Sequence, residues 1–330
     1  MSFQQKKYWF CIWLAGMTMT LCFGQQEPQY TQYMYNIGSF NPAYSASVES
    51  AEFSGLYRAQ WVDIPGAPRN IRFGGNFPLN NEKMGLGFNA VNDELGPVKQ
   101  TFIDIAYSYQ VNLSETSKLS FGIDAGGALF NIDFSEGNFR DPGESVVTQQ
   151  ELSNFNPTIG AGVFMYDEKW YLGLSVPNFL TDILLNEETA SLVTEKMQYN
   201  FIGGLVFDIG DKSKFKPAFL VNYSNGLPVN VNLSANFMFI DALTIGASYR
   251  FDNAFSGLAG FQVSNGVFLG YAYDYNSNRL GDFSGGTHEA ILKFYLGRGD
   301  SSNRQSSKNK GKNNNKMKGK PKQIDSPRFF

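Results

Sequence analysis

The chemistry open to this chain is bounded by the side chains it lacks. His288 is its only histidine, and its two cysteines, Cys11 and Cys22, stand near the start. A hydrolase of the Ser–His type would have to use His288 as its base. That residue follows Gly285-Gly286-Thr287, precedes Glu289, and is in phase with Ala290, Leu292, Phe294 and Leu296. The apolar phase reads as an outward, headgroup-level or loop-closing histidine rather than a catalytic base. One histidine and scattered carboxylates do not assemble a transition-metal site, and calcium loops of the Asp-Xaa-Asp kind do not recur. Gly85/Gly87, Gly126/Gly127, Gly160/Gly162 and Gly203/Gly204 fall inside strand-like segments. There they read as bends and close packing, not phosphate cradles. The expectation is a protein that is not an enzyme and carries no cofactor.

Three loop constellations remain. Arg58, Gln60 and Trp61 lead into Ile64-Pro65-Gly66-Ala67-Pro68, a stiff loop. Asp93-Glu94-Leu95-Gly96-Pro97 is a turn, and Tyr273–Gly281 leads into Gly285–Glu289. Turn chemistry accounts for each, and recognition of a ligand or protein is the functional alternative.

The elements that position these residues begin with an export signal. Lys6 and Lys7 precede a mostly apolar stretch, Tyr8 to Leu21, and Cys22-Phe23-Gly24 suits a cut before Gln25. A lipoprotein cut before Cys22 is the rival reading. On the first reading the mature chain has no thiol. The formal net charge of −3 gives no nucleic-acid signature. Aromatics reach 15% and glycines number 34. No later window is apolar for eighteen residues, so no transmembrane helix is expected.

A period of two dominates the rest. In Val229–Phe239 one face is Val229, Val231, Leu233, Ala235, Phe237 and Phe239, and the other is Asn230, Asn232, Ser234, Asn236 and Met238. Ile103–Leu113 and Leu243–Phe251 alternate in the same way, with Asp104, Gln110 and Arg250 on their polar faces. Such strands run to about ten residues, the length that crosses a bilayer at a tilt. The reading is all-β: a transmembrane antiparallel β-barrel of about 14 strands. The even-numbered connections are all short, and the long ones, 134–155, 177–196 and 277–286, are odd-numbered. That sorting places both termini in the periplasm and the long loops outside, in the outer membrane of a Gram-negative bacterium.

The expected organisation is a signal peptide at 1–24, an arm at 25–50, the barrel at 51–297 and a basic tail at 298–330. The tail is rich in Lys, Asn and Ser, and reads as disordered. It is either a solvated linker or a periplasmic contact. The arm, QQEPQYTQYMYNIGSFNPAYSAS, has neither a helical nor a strand rhythm. Tyr30, Tyr33, Tyr35, Phe40 and Tyr44 could plug the lumen, or the arm could dock in the periplasm. In the 177–196 loop, Phe179, Leu180, Ile183, Leu184, Leu185 and Leu192 form an apolar set. It reads as a docking surface for a protein partner, or as a lid on the barrel mouth.

Glu27-Pro28-Gln29, Gln32-Tyr33-Met34 and Asn41-Pro42-Ala43-Tyr44 resemble the N-terminal signature of the PorP/SprF family. Gln60-Trp61 with Gly66-Ala67-Pro68, and the closing Ser284–Glu289, are similar to that family too. Tyr35-Asn36-Ile37 departs from its usual Phe-Asn-Pro. The resemblance implies an outer-membrane barrel of the type IX secretion system of Bacteroidetes. It implies export and surface anchoring of a large secreted adhesin, in some members for gliding motility. The implied partners are that adhesin, type IX secretion or motor components on the periplasmic side, and outer-membrane lipid, with no nucleic acid. A transport barrel for small or hydrophobic solutes is the alternative.

Overall fold

A computed structural model describes residues 29–79, 83–133, 151–180, 197–251, 253–277, 281 and 283–296. Its strands are β1 (Glu52–Ala59), β2 (Arg69–Pro78), β3 (Met84–Leu95), β4 (Val98–Asn112), β5 (Lys118–Asp133), β6 (Glu151–Tyr166), β7 (Trp170–Val176) and β8 (Gln198–Leu205). They continue as β9 (Phe207–Gly210), β10 (Ser213–Ser224), β11 (Asn230–Phe239), β12 (Leu243–Arg250), β13 (Ala254–Ser264), β14 (Val267–Asn276) and β15 (Thr287–Tyr295). β8 and β9 are two halves of one barrel strand, broken at Val206, whose N–H turns to the Lys169 carbonyl at 2.8 Å. Counted so, 14 antiparallel strands close a barrel, each paired with its sequence neighbour and β1 paired with β15. β6 starts at Glu151, earlier than its alternation predicts, because its pairing with β5 runs on to Asp133.

Alternation explains the two faces. Ile103, Ile105, Tyr107 and Tyr109 point outward and are exposed, whereas Ala106, Ser108 and Gln110 point inward and are buried. Leu233 and Phe237 lie outside, while Asn232, Ser234 and Asn236 lie inside. A one-residue slip would reverse every such set, so the lipid requirement fixes the register. Closure of β1 on β15 leaves no edge strand among the described residues, although β6 runs past its pairing with β7 from Glu151 to Gly160.

Connections differ at the two ends. Short turns join β2 to β3, β4 to β5, β6 to β7, β11 to β12 and β13 to β14 at one end. The other end carries the 60–68, 134–150, 177–197 and 277–286 connections. At the short-turn end Asp167 accepts hydroxyl hydrogen bonds from Thr116 at 2.9 Å and Ser117 at 2.5 Å. Partial burial raises its pKa, but these bonds and the Glu168 N–H outweigh it and hold the carboxyl below its ordinary range.

At the long-loop end the three loop constellations come together. The Val62 N–H donates to the Gly286 carbonyl at 2.9 Å, and the Gly285 N–H donates to the Val62 carbonyl at 2.8 Å. The Gly96 N–H donates to the Gly66 carbonyl at 3.0 Å. Trp61 and Asp63 hold left-handed φ values of 49° and 77° to make this junction, a conformation that costs a non-glycine residue about 1–2 kcal/mol. The rim across the β1–β15 seam is therefore a built surface, not three independent turns.

Candidate functional site

The barrel encloses its own N-terminal arm. Residues 33–35, 37–39 and 42–46 form three short 3-10 turns. Asn41 caps the third: its side chain accepts from the Ala43 N–H at 3.0 Å, and Pro42 occupies the first position. Tyr30, Tyr33, Met34, Tyr35, Ile37, Phe40 and Tyr44 are buried. They form one apolar cluster with wall residues Leu56, Phe164, Tyr171, Leu258, Phe268 and Ile291. Tyr44 meets Phe164 edge-on at 5.6 Å, and Tyr35 lies 4.7 Å from Phe268.

Polar contacts fix the arm to walls on opposite sides. The Tyr33 hydroxyl is 2.9 Å from Ser234 Oγ on β11, and Tyr30 donates to Asn70 on β2. The Asn41 amide donates to the Val163 carbonyl on β6 at 3.0 Å. Ser120 on β5 donates to the Ala43 carbonyl at 2.7 Å, and Ser175 on β7 donates to the Phe40 carbonyl. Backbone groups in a buried segment must be paired, and these wall side chains pair them.

The wall leaves room for the arm at glycines. A Cβ on Gly85 would lie 2.0 Å from the Ser45 carbonyl oxygen, and one on Gly122 would lie 2.3 Å from the Ala43 nitrogen. A Cβ on Gly162 would lie 2.1 Å from the Asn41 side-chain oxygen, and one on Gly270 would lie 2.3 Å from that of Gln32. At Gly85 and Gly122 the obstacle is backbone, which cannot swing aside. The glycines read in sequence as close packing are in part the bed of the arm.

A buried ionic cluster holds the arm's first described turn. Arg58 on β1 bonds Glu289 on β15 and Asp274 on β14, each at 2.8 Å. Glu289 also accepts the backbone N–H groups of Thr31 and Gln32 at 2.9 and 2.8 Å. The Thr31 hydroxyl donates to Asp274 at 2.7 Å. Arg250 on β12 stands 4.0 Å from Asp274 and donates to Asn232 at 2.7 Å. Two cations and two carboxylates balance, and the arm supplies the remaining donors. A second pair, Lys293 and Glu52 at 3.3 Å, bridges the same seam near its other end. Arm and barrel closure thus share contacts: the seam that shuts the barrel is the one that grips Thr31.

Beside the arm, toward the long-loop end, lies a cavity of about 910 Å3 counting its solvent-open space. Tyr30, Phe40 and Pro42 of the arm face Arg72, Asp104 and Asp124 of the wall across it.

All five aromatic residues singled out in the arm sit within the barrel in contact with its wall. Of the apolar loop set, Phe179 and Leu180 are half-buried, and the Phe179 N–H bonds the Ile159 carbonyl at 2.9 Å. Ile183, Leu184, Leu185 and Leu192 lie outside the described residues. So do residues 1–24, expected to be a signal peptide, and residues 298–330, expected to be a basic tail. His288 faces outward, 2.6 Å from the Tyr271 hydroxyl. Among the described residues no three His, Cys, Asp or Glu side chains group as metal ligands. Sequence reasoning did not assemble Arg58, Arg250, Asp274 and Glu289 into one cluster. Their signal was a charge on the lumen-facing phase of four separate strands.

Across residues 22–294 the chain matches the family described as type IX secretion system membrane protein PorP/SprF. The chain belongs to the PorP/SprF family. No curated protein matches it. Among solved structures it is loosely similar to the Acinetobacter baumannii outer membrane protein Omp33, at 9% identity and TM-score 0.43, over 75% of this chain and 98% of that one. The CymD monoaromatic hydrocarbon channel matches at 10% identity and TM-score 0.44, over 82% of this chain and 92% of that one. A Pseudomonas aeruginosa FadL homologue matches at 11% identity and TM-score 0.37, over 77% and 91%. What those proteins carry says nothing about this PorP/SprF barrel.

Proposed function

We propose that this barrel is a non-enzymatic outer-membrane component that assists type IX secretion and retains a large secreted adhesin at the cell surface, gliding adhesins included. The observation that carries the reading is the lumen occupied by the arm: Tyr30, Tyr33, Tyr35, Phe40 and Tyr44 act as a plug, so the barrel serves as an anchor rather than an open pore. Membership of a type IX secretion family supports it. In this reading the long loops face outward and the short turns face the periplasm. The tail at 298–330 is periplasmic, where its lysines meet a type IX or motor component.

The adhesin meets the outer rim through the 177–196 loop. Phe179 and Leu180 stand at its root, and Ile183, Leu184, Leu185 and Leu192 supply the rest of the apolar surface. Replacing Leu184 and Leu185 together by aspartate is expected to abolish co-purification of a large surface protein while the barrel still folds. Removing Ser301–Phe330 is expected to keep that protein and lose a periplasmic partner in the same detergent pull-down. Undiminished retention by the double aspartate variant would remove the loop from the interface. No co-purifying protein from the unaltered barrel, together with clear single-channel conductance, would favour the solute-transport reading.

A further inference from the structure

The cavity beside the arm holds more negative charge than positive. Among the described residues that line it, Asp104 and Asp124 carry carboxylates and Arg72 is the cation. At the β1–β15 seam two cations meet two carboxylates; here one cation meets two. The Arg72 guanidinium donates to Asn89 Oδ1 at 2.5 Å and lies over the Tyr30 ring at 5.9 Å. Asp104 accepts from the Asn89 amide at 2.9 Å. Asp124, 7% exposed, accepts from the Gly160 N–H, and the charge that acts on it is Asp104, of its own sign. A Cβ on Gly160 would lie 2.5 Å from Asp124 Oδ2, so the wall is bare where that carboxylate lies. A buried carboxylate is costly unless a cation meets it.

Pairing fixes the spacing of the two acids. Asp104 is opposite Gly126 and Asp124 is opposite Ala106, so they are diagonal neighbours on the lumen face of β4 and β5. Diagonal neighbours stand about 7–8 Å apart at the backbone. An ammonium, with three donors, bridges carboxyl groups so placed. Phe40 of the arm and Phe102 of β4 line the same space and offer apolar surface to the stem behind such a head. A separate feature calls for an acceptor. Asn200, 1% exposed, lines the cavity from β8. Its Oδ1 accepts from Gln198 at 2.7 Å and from Asn222 at 2.6 Å, whereas its Nδ2 has no partner among the described residues. A buried donor left unpaired is costly, so this side of the cavity suits a carbonyl or hydroxyl oxygen.

We propose that the cavity binds a primary ammonium on an apolar stem, with Asp104 and Asp124 taking the head and Asn200 donating to an oxygen farther along the ligand. A lysine side chain with its neighbouring peptide carbonyls has that set. A free alkyl diamine has the head without the oxygen. The assignment to a lysine of a protein seated on the long-loop rim rests on the function proposed above; the ammonium site does not. Phe40 and Pro42 come from the arm, so a bound ligand favours the seated plug by mass action.

The test is calorimetry at low salt on the full chain purified in detergent. The probes are the blocked peptide acetyl-Gly-Lys-Gly-amide, the same peptide with norleucine in place of lysine, and cadaverine. The lysine peptide is expected to bind and the norleucine peptide not to. Asp104→Asn and Asp124→Asn should each weaken the lysine peptide by roughly tenfold or more. Both substitutions keep an acceptor oxygen for Asn89 and Gly160, and heat-shifted gel migration checks that the barrel folds. Cadaverine should bind more weakly than the lysine peptide, and Asn200→Leu should bring the two together. If Asn200→Leu does not fold, the comparison of the two amines on the unaltered chain decides the same point. Cadaverine that binds as tightly as the peptide, with the same aspartate dependence, upholds the ammonium site and gives it a free amine as ligand. Equal binding of the lysine and norleucine peptides overturns the proposal. So does binding unchanged when both aspartates are replaced, or no binding of either amine. The probes are read on the purified barrel, so failure here leaves retention of a surface protein standing, and loss of that retention leaves this site standing.

Discussion

Deleting Gln26–Ser47 is expected to convert a barrel with little conductance into one with steady open-channel current in a planar bilayer. The same deletion should lower the temperature at which the barrel loses its compact gel mobility. The reasoning starts from the wall. With the arm gone, Asn70, Ser120, Ser175, Ser234 and Glu289 lose partners that they now hold within 3 Å. In a dry site each loss would cost about 1–3 kcal/mol. Water entering the emptied lumen replaces part of it, so stability falls while the barrel survives and conducts. A point variant asks the same question without shortening the chain. Gly85→Val places side-chain carbon where the Ser45 carbonyl oxygen is 2.0 Å from an ideal Cβ. Gly122→Val does so against the Ala43 backbone. Either should push the arm off its bed and raise conductance part of the way toward the deletion. Conductance and heat stability unchanged in both the deletion and the glycine variants would refute the plug.

What could be read in advance was set by periodicity. The polar face of β11, Asn230 to Met238, and that of β12, Thr244 to Arg250, were legible because lipid on one side and lumen on the other enforce alternation. The arm was legible as anomalous but not as a shape. A segment buried on all sides needs no apolar stripe, and three 3-10 turns of three to five residues are too short to print a rhythm. Its aromatic composition carried the signal instead. The break at Val206 was invisible, since the register with β10 is the same on both sides of it and the flanking alternation runs on unchanged. The ionic cluster was hidden for a different reason. Arg58 and Glu289 are 231 positions apart, and only closure of β1 on β15 makes them neighbours. Locally each shows only a charge on the lumen-facing phase of its strand, and nothing in the sequence says that the four meet.

That cluster carries the second large effect. Arg58→Ala is expected to cost about 3–5 kcal/mol of barrel stability, the usual penalty for removing one partner of a buried ion pair. It leaves Glu289 and Asp274 buried with only Arg250, at 4.0 Å from Asp274, as a nearby cation. Glu289→Gln should cost a comparable amount for a separate reason. An amide has one acceptor oxygen, so only one of the Thr31 and Gln32 N–H groups keeps its partner while the other meets an NH2. The loss should vary little between low and high salt, because buried pairs are poorly screened. A double-mutant cycle against the arm deletion then identifies what the cluster does. In the full chain the arm seals the cluster from water. In the deleted chain the lumen is wet, and a solvated pair contributes roughly 0–1 kcal/mol. Arg58→Ala should therefore cost several kcal/mol with the arm present and about 1 kcal/mol or less without it. Equal costs in both backgrounds would mean that Arg58 only staples β1 to β15, with no part in holding the arm.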